Sequence, residues 1–374
     1  MSHNHSMRRI TIDNVDVGDN TECYVIAEIG HNHQGSIEKA KEMFLEAKRA
    51  GAHAVKLQKR DNRSLYTQEM FDKPYENENS FGATYGEHRE ALEFGADEYR
   101  ELQEYAAEIG ITFFATAFDH PSADFLAALD MPAYKLASGD LKNTPLLEHV
   151  AGFQKPVILS SGGATLDDIR IAVESVLKIN PRLCLLQCTA SYPTPAEEMN
   201  LRVIETFREE FPDVVIGLSD HYNGIAMAVA AYVLGARVIE KHFTLNHTMK
   251  GTDHAMSLEP IGMHKMIRDL QRAAKALGDG TKRVLPSETS ALVKMGKSLY
   301  AARDLPHGHT LSEADLAIKS PGGGIPPAQL QSVVGRTLAK PVKRDQQLQF
   351  HLHIAADGAA DADSARALVD ARAS

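Results

Sequence analysis

Cysteine is scarce in this chain: Cys23, Cys184 and Cys188 are all it has. An odd, sparse set with no C-x-x-C pair argues against a disulfide framework or a zinc ribbon. It fits a reducing compartment, so a cytoplasmic location is expected. No apolar run is long enough to span a bilayer, so no membrane partner is expected. The opening MSHNHSMRRI lacks the apolar core of a signal peptide, and His3 and His5 read as part of a frayed end. Clustered basic residues are missing too, and the net charge is −10. Such a chain is a poor nucleic-acid binder, although local lysines can still hold a small anion.

What is present is a rhythm. The chain has 374 residues, 43% of them hydrophobic, which suits a large barrel plus an appendage. Arg8 to Val17 alternates and reads as an edge strand or hairpin within an N-terminal extension, 1–20. From Tyr24 onward, short β-branched runs alternate with stretches of helical spacing. The predicted strands begin at Tyr24, Ala54, Thr112, Ala133, Val157, Leu183, Val214 and Val238. A helix is expected after each, the first capped by Ser36. Eight such units predict an α/β fold, a (β/α)8 TIM barrel over 21–280. An open doubly wound sheet is the alternative, but no Gly-rich dinucleotide turn follows the first strand. A polar insertion from Lys59 to about Phe94 reads as a loop. After a linker at 281–297, short strands, turns and the stretch PGGGIPP predict a small β-rich domain over 298–353, with a helix at about Pro327 to Val333. The tail, 354–374, is Ala/Asp-rich and reads as low-complexity.

Barrel active sites lie at the C-terminal ends of the strands, so those ends carry the functional reading. The first ends in Glu28. The second carries Lys56 and Gln58, the third leads to Thr116, and the fourth carries Lys135 before Ser138 and Asp140. Ser160 closes the fifth, and the sixth leads to Tyr192. The seventh leads to Ser219 and His221, and the eighth ends at His242, upstream of a loop holding Asp253. Two buried lysines are costly unless an anion pairs them. With the hydroxyls of Thr116, Ser138, Ser160 and Ser219 they suggest a phosphate or carboxylate pocket. One histidine at a strand end is explained as a cap. Two at equivalent places, His221 and His242, could share a divalent metal that keeps open positions and polarises a carbonyl. Glu28 and Asp253 are then the candidates for proton transfer or orientation.

These residues lie in the motifs AEIGHNHQG, AVKLQK, AYKLASGD, LLQCTASYPTP, IGLSDH, EKHFT and KGTDHAMSLEP. Together the motifs resemble the sialic acid synthase family over about Val25 to Gln349. KSLYAARDLPHGHTL with PGGGIPP resembles that family's C-terminal antifreeze-like (SAF) domain. The resemblance implies an enzyme that condenses phosphoenolpyruvate with an N-acylated hexosamine and water. The product would be N-acetylneuraminate from N-acetylmannosamine, or the 9-phosphate from its 6-phosphate. It implies Mn2+ or Mg2+ as the metal, with His221 and His242 as its ligands, and a domain-swapped homodimer. Lys56, Thr116, Lys135, Ser138, Ser160, Tyr192 and Ser219 match positions around phosphoenolpyruvate. Glu28 matches the carboxylate beside the reacting centre, and Asp140 and Asp253 match positions facing the sugar.

The chain departs from many bacterial members at three places: Asp140 stands for Glu, Ala190 for Asn and Ser320 for Arg. FGATYGEHREALEF and LLQCTASYP look more like animal members, which use the phosphorylated sugar, and Lys59, Arg60 or Arg63 could bind that phosphate. Three other readings stand beside this one. They are a synthase for a related nonulosonate (legionaminate, pseudaminate or the deaminated acid), a pyruvate aldolase with a Schiff base on Lys135 or Lys56, and a sugar-binding protein without turnover.

Overall fold

In this computed structural model, residues 8–355 are described. The expectations for His3, His5 and most of the Ala/Asp-rich tail lie outside the described residues. The chain forms two compact units, one up to Asp279 and one from Gly280.

The first unit opens with an antiparallel hairpin, β1 (Arg9–Ile12) and β2 (Val15–Gly18). Eight parallel strands follow: β3 (Tyr24–Gly30), β4 (Ala54–Lys59), β5 (Thr112–Ala117), β6 (Tyr134–Leu136), β7 (Val157–Ser160), β8 (Leu183–Cys188), β9 (Val215–Asp220) and β10 (Val238–His242). They close into a barrel in sequence order, β10 pairing with β3. All seven residues of β3 are buried, because helices cover one face and the barrel core the other; hence the near-continuous apolar runs.

The helix after β3 is α1 (Ile37–Ala50). It starts where Ser36 Oγ accepts from the Lys39 amide at 3.3 Å and stops at Gly51, whose φ of 97° suits glycine. The connection after β4 is more ordered than its polar sequence predicts. It carries three short helices, α2 (Asn62–Leu65), α3 (Gln68–Phe71) and α4 (Tyr85–Glu90), capped by Asp61, Thr67 and Thr84. One or two turns are too short to set up a hydrophobic period, so only the caps could have announced them. The ring of helices is completed by α5 (Ala96–Ile109), α6 (His120–Ala128), α7 (Thr144–Gly152), α8 (Leu166–Leu177), α9 (Val203–Glu210), α10 (Ala226–Val233) and α11 (Pro260–Leu277). Among the described residues no helix is long and apolar enough to cross a membrane. The three cysteines are buried and free.

The second unit begins with an exposed helix, α12 (Thr289–Met295), within the stretch the sequence reads as a linker. One ladder, β11 (Ser298–Ala301) with β12 (Leu316–Lys319), is followed by α13 (Leu330–Val333) and α14 (Phe350–His353). Its remaining β structure is single bridges, such as Leu305 with Val342 and Thr310 with Thr337. Leu299, Leu305, Leu311, Val333, Val342 and Leu348 make its core.

Asp315 ties this small unit together. Its carboxylate accepts from Ser312 N, Ser312 Oγ and Arg303 Nε, and lies 2.9 Å from His309 Nε2. Burial opposes the charge, but these partners hold the carboxyl well below its ordinary range. Asp315→Ala should cost about 2 kcal/mol by stranding several donors, read as a lower urea midpoint for this unit. A carboxyl depressed in the folded state stabilises above its unfolded value, about 3.9, and that contribution fades as pH falls toward the folded value. The wild-type unit should therefore weaken below about pH 4, and the alanine variant much less so.

Candidate active site

Neighbouring strand ends bring the polar residues level with one another. Glu28 pairs in register with His242 on one side and Lys56 on the other. Gln58 is level with Thr116, and Thr116 with Lys135. Ser219 lies between Cys188 and Glu240. Alternate strand residues share a face, so Ser219 with His221 and Glu240 with His242 meet a common cavity. Asp220 and Lys241 pack on the reverse side. There Lys241 Nζ donates to Asp220 Oδ2 at 2.9 Å and to the Tyr222 carbonyl, an ion pair about 1% exposed that clamps the two histidine-bearing ends.

The cavity holds about 510 Å3. Lys56 and Lys135 line it, each 2% exposed. Lys56 Nζ lies 2.6 Å from Glu28 Oε2 and donates to Thr116 Oγ1 at 2.6 Å. The other Glu28 oxygen accepts from Gln58 Nε2 at 2.6 Å. Gly30, at φ 55°, leaves room for this pair; a Cβ there would come within 3.2 Å of Gln58 Nε2 and 3.3 Å of Glu28 Oε1. Lys135 Nζ donates to the Leu136 carbonyl, and burial pushes its ammonium below its ordinary value.

Glu240 lies 3.8 Å from both lysines through different oxygens, and Ser219 Oγ donates to its Oε1 at 3.1 Å. Burial opposes its charge, but Lys135 and Lys56 hold the carboxyl below its ordinary value. Glu28 Oε2, Glu240 Oε2, Ser160 Oγ and His242 Nδ1 are buried without a hydrogen-bond partner, and all four residues line this cavity. Buried polar atoms are rarely left so, and a cluster of them marks a site completed by a ligand.

The His221 and His242 rings are 5.4 Å apart, with the Tyr192 ring 4.1 Å from His221. Burial, and then His242, hold His221 down to about 4, so its ring is neutral at physiological pH. His221 Nδ1 meets the Thr189 carbonyl at 2.9 Å, which reserves Nε2 as the lone-pair nitrogen. Asp253 Oδ2 lies 3.7 Å from His242 Nδ1. Among the described residues no group of three or more His, Cys, Asp and Glu is arranged to hold a metal by itself. The donor set nonetheless fits a divalent ion. It offers two imidazoles, one with an unpartnered nitrogen, and leaves the other positions to water or substrate oxygen.

Of the residues singled out in the sequence, Glu28, Lys56, Gln58, Thr116, Lys135, Ser138, Ser160, Tyr192, Ser219, His221, His242 and Asp253 line this cavity. Asp140 does not. It sits in a 3-10 turn beside the lining residues Ser138 and Gly139, with Asn143 Nδ2 at 3.4 Å, and burial pushes its carboxyl up to about 6. Of the three cations on the insertion, only Arg60 reaches the cavity. Lys59 is held by Glu93 and the Phe94 carbonyl, and Arg63 pairs with Glu90 and stacks on Phe71. Sequence reasoning missed Glu240, His31 and Arg89 as lining residues. Glu240 was within reach, since it stands two residues before His242 on a strand. Arg89 lies in the stretch FGATYGEHREALEF that the sequence singles out, but nothing in its spacing placed it at the strand ends.

A profile described as the NeuB family matches residues 43–282, and one described as the SAF domain matches residues 296–351. The chain is similar to N-acetylneuraminate-9-phosphate synthase of Homo sapiens, at 41% identity over 337 residues, 90% of this chain and 94% of that one. It is also similar to N,N'-diacetyllegionaminic acid synthase of Legionella pneumophila subsp. pneumophila, at 35% over 328 residues, 86% and 92% of the two chains. Among solved structures, N-acetylneuraminic acid (sialic acid) synthetase from Leptospira borgpetersenii serovar Hardjo-bovis in complex with citrate superposes with a TM-score of 0.67. Identity there is 34%, over 77% of this chain and 96% of that one.

Proposed function

This chain belongs to the NeuB family, and from that membership we propose that it condenses phosphoenolpyruvate with an N-acylated hexosamine and water, giving a nonulosonate and phosphate. The acceptor is N-acetylmannosamine or its 6-phosphate, the second in keeping with the product named for the human relative. One observation carries this reading: two buried lysines, a row of hydroxyls and an imidazole pair share a single cavity.

Lys56 and Lys135, with Thr116, Ser138, Ser160 and Ser219, hold the phosphate and carboxylate of phosphoenolpyruvate. His221 and His242 would hold a divalent ion, Mn2+ or Mg2+, which supplies Lewis-acid polarisation of the open-chain aldehyde. The methylene carbon adds to the aldehyde carbon, and the new alkoxide takes a proton. Positive charge develops at the former enol carbon, where the buried carboxylates Glu28 and Glu240 stabilise it. Glu28 accepts from Gln58 through one oxygen and its other lies 2.6 Å from Lys56 Nζ as an ion pair, so it acts as fixed charge. Glu240 Oε2 has no hydrogen bond and stands farther from Lys56, at 3.8 Å, so it accepts a proton from the water that adds to that carbon. The C–O bond to phosphate then breaks, the electron pair leaves with phosphate, and the remaining hydroxyl loses its proton to form the ketone. Asp253 orients the sugar beside His242. The depressed Lys135 ammonium is the one feature that suits a Schiff-base aldolase, but such an enzyme would not use the imidazole pair.

The test is phosphate release from phosphoenolpyruvate with N-acetylmannosamine and with its 6-phosphate, each with manganese and with a chelator. Release that needs both sugar and metal is expected. Release with pyruvate-type chemistry alone, or none with any N-acylated hexosamine, would defeat the reading.

A further inference from the structure

Two residues of the sequence motifs, Asn32 and Ser257, take no part in the chemistry above. Both are nonetheless almost fully buried, at 2% and 1% exposure, and Asn32 lines the cavity. They stand 225 residues apart in the chain and meet beside the main chain of Asp253. Asn32 follows the end of β3. Ser257 closes the loop that leaves β10, just before the Leu258 amide donates to the His242 carbonyl at 2.7 Å.

The hydrogen bonds that join them have fixed directions. A carbonyl can only accept, so Asn32 Nδ2 donates to the Phe243 carbonyl, at 2.9 Å. Its second proton goes to Ser257 Oγ at 2.9 Å, and Ser257 gives its own proton to the Asp253 carbonyl at 2.6 Å. The Ser257 amide also donates to the His254 carbonyl at 3.2 Å, within the short turn that Asp253 opens. One buried amide thus ties the residue after His242 to the turn that begins at Asp253.

The Asp253 carboxylate has little else to place it. Its hydrogen bond comes from the exposed Thr252 hydroxyl at 3.0 Å, on the same loop, and its Oδ2 stands 3.7 Å from His242 Nδ1. Neighbouring anchors, the Gly251 amide on Asn79 and His254 on Thr244, leave the Asp253 carbonyl to Ser257. The side chain is therefore placed through its main chain, and Ser257 and Asn32 hold that main chain.

We propose that Asn32 and Ser257 are positioning residues, which brace the Asp253 carboxylate beside His242 for the acceptor sugar. This rests on the synthase reading above. A carboxylate held by a buried, fully directed network needs no reordering when the sugar arrives, and a displacement of about 1 Å costs up to about a hundredfold in rate.

Ser257→Ala removes the central hydroxyl, and Asn32→Asp keeps the shape but cannot donate. Each should lower kcat/KM for the N-acylated hexosamine about tenfold or more, while KM for phosphoenolpyruvate stays within about twofold. Asp253→Ala should lower it at least as far. Adding Ser257→Ala to Asp253→Ala should change it by less than about twofold, because the brace acts through Asp253. General damage to the barrel mouth would instead raise both KM values and add to the Asp253→Ala loss. Either outcome overturns the brace, as do wild-type kinetics in Ser257→Ala. If the wild type releases no phosphate with any N-acylated hexosamine, the synthase reading fails. The brace is then decided by the His242 ring-nitrogen resonances of histidine-labelled protein. Ser257→Ala should shift them in the same direction as Asp253→Ala; no shift in either variant, or opposite shifts, sinks it.

Discussion

Replacing His242 by alanine should lower metal-dependent phosphate release by about a thousandfold or more, because a Lewis acid at a developing alkoxide is worth several kcal/mol. The side chain is one of four imidazoles lining the cavity, its ring lies 5.4 Å from that of His221, and its Nδ1 is buried with no hydrogen-bond partner. Removing it deletes a donor that the fold leaves unused, so the far-ultraviolet spectrum and thermal midpoint should change little. Manganese binding, followed by the quenching of the free-ion electron spin resonance signal, should weaken in parallel with turnover. Near-normal turnover at limiting manganese would remove His242 from the ligand set. The clamp behind it, Lys241 with Asp220, makes the reading sharper, since it keeps the β9 and β10 ends in register when the imidazole is gone.

Glu240→Gln should reduce kcat by about a hundredfold or more, the usual scale of a positioned proton acceptor. The amide keeps the shape and can still meet Ser219, but it cannot take a proton from water. It also removes the negative charge 3.8 Å from Lys56 and Lys135, so those ammoniums are freer to grip anions. The KM for phosphoenolpyruvate should therefore fall, and inhibition by inorganic phosphate should tighten. A fall in kcat together with a lower KM separates this role from simple damage to the pocket, which would raise KM. An unchanged kcat would return the task to Glu28, whose two oxygens are otherwise engaged by Lys56 and Gln58.

Much of the fold was legible because local rules dictate it. Apolar β-branched runs alternating with helical spacing gave eight βα units, and eight units close a barrel in sequence order. Strand ends that turn polar marked the rim where the candidate site lies. Twelve of the thirteen residues singled out at the strand ends line one cavity, where alternate strand positions share a face, and of the three insertion cations Arg60 joins them. The short helices α2, α3 and α4 were not legible, because one or two turns depend on caps and tertiary packing rather than on a repeating apolar stripe.

By itself, then, the sequence determined the barrel, the rim that bears the site, and the chemical types gathered there. These follow from periodicity and from the cost of burying charge. Only the tertiary structure decided how the charges are shared. It tied Glu28 to Lys56 and Gln58, left Glu240 an oxygen to spare, turned Asp140 off the cavity wall, and brought Arg89 to His31 opposite Arg60. Such pairings join residues tens of positions apart. They depend on distances of a few ångströms that no spacing along the chain encodes, and electrostatic energies at that range decide which groups are satisfied and which wait for a ligand.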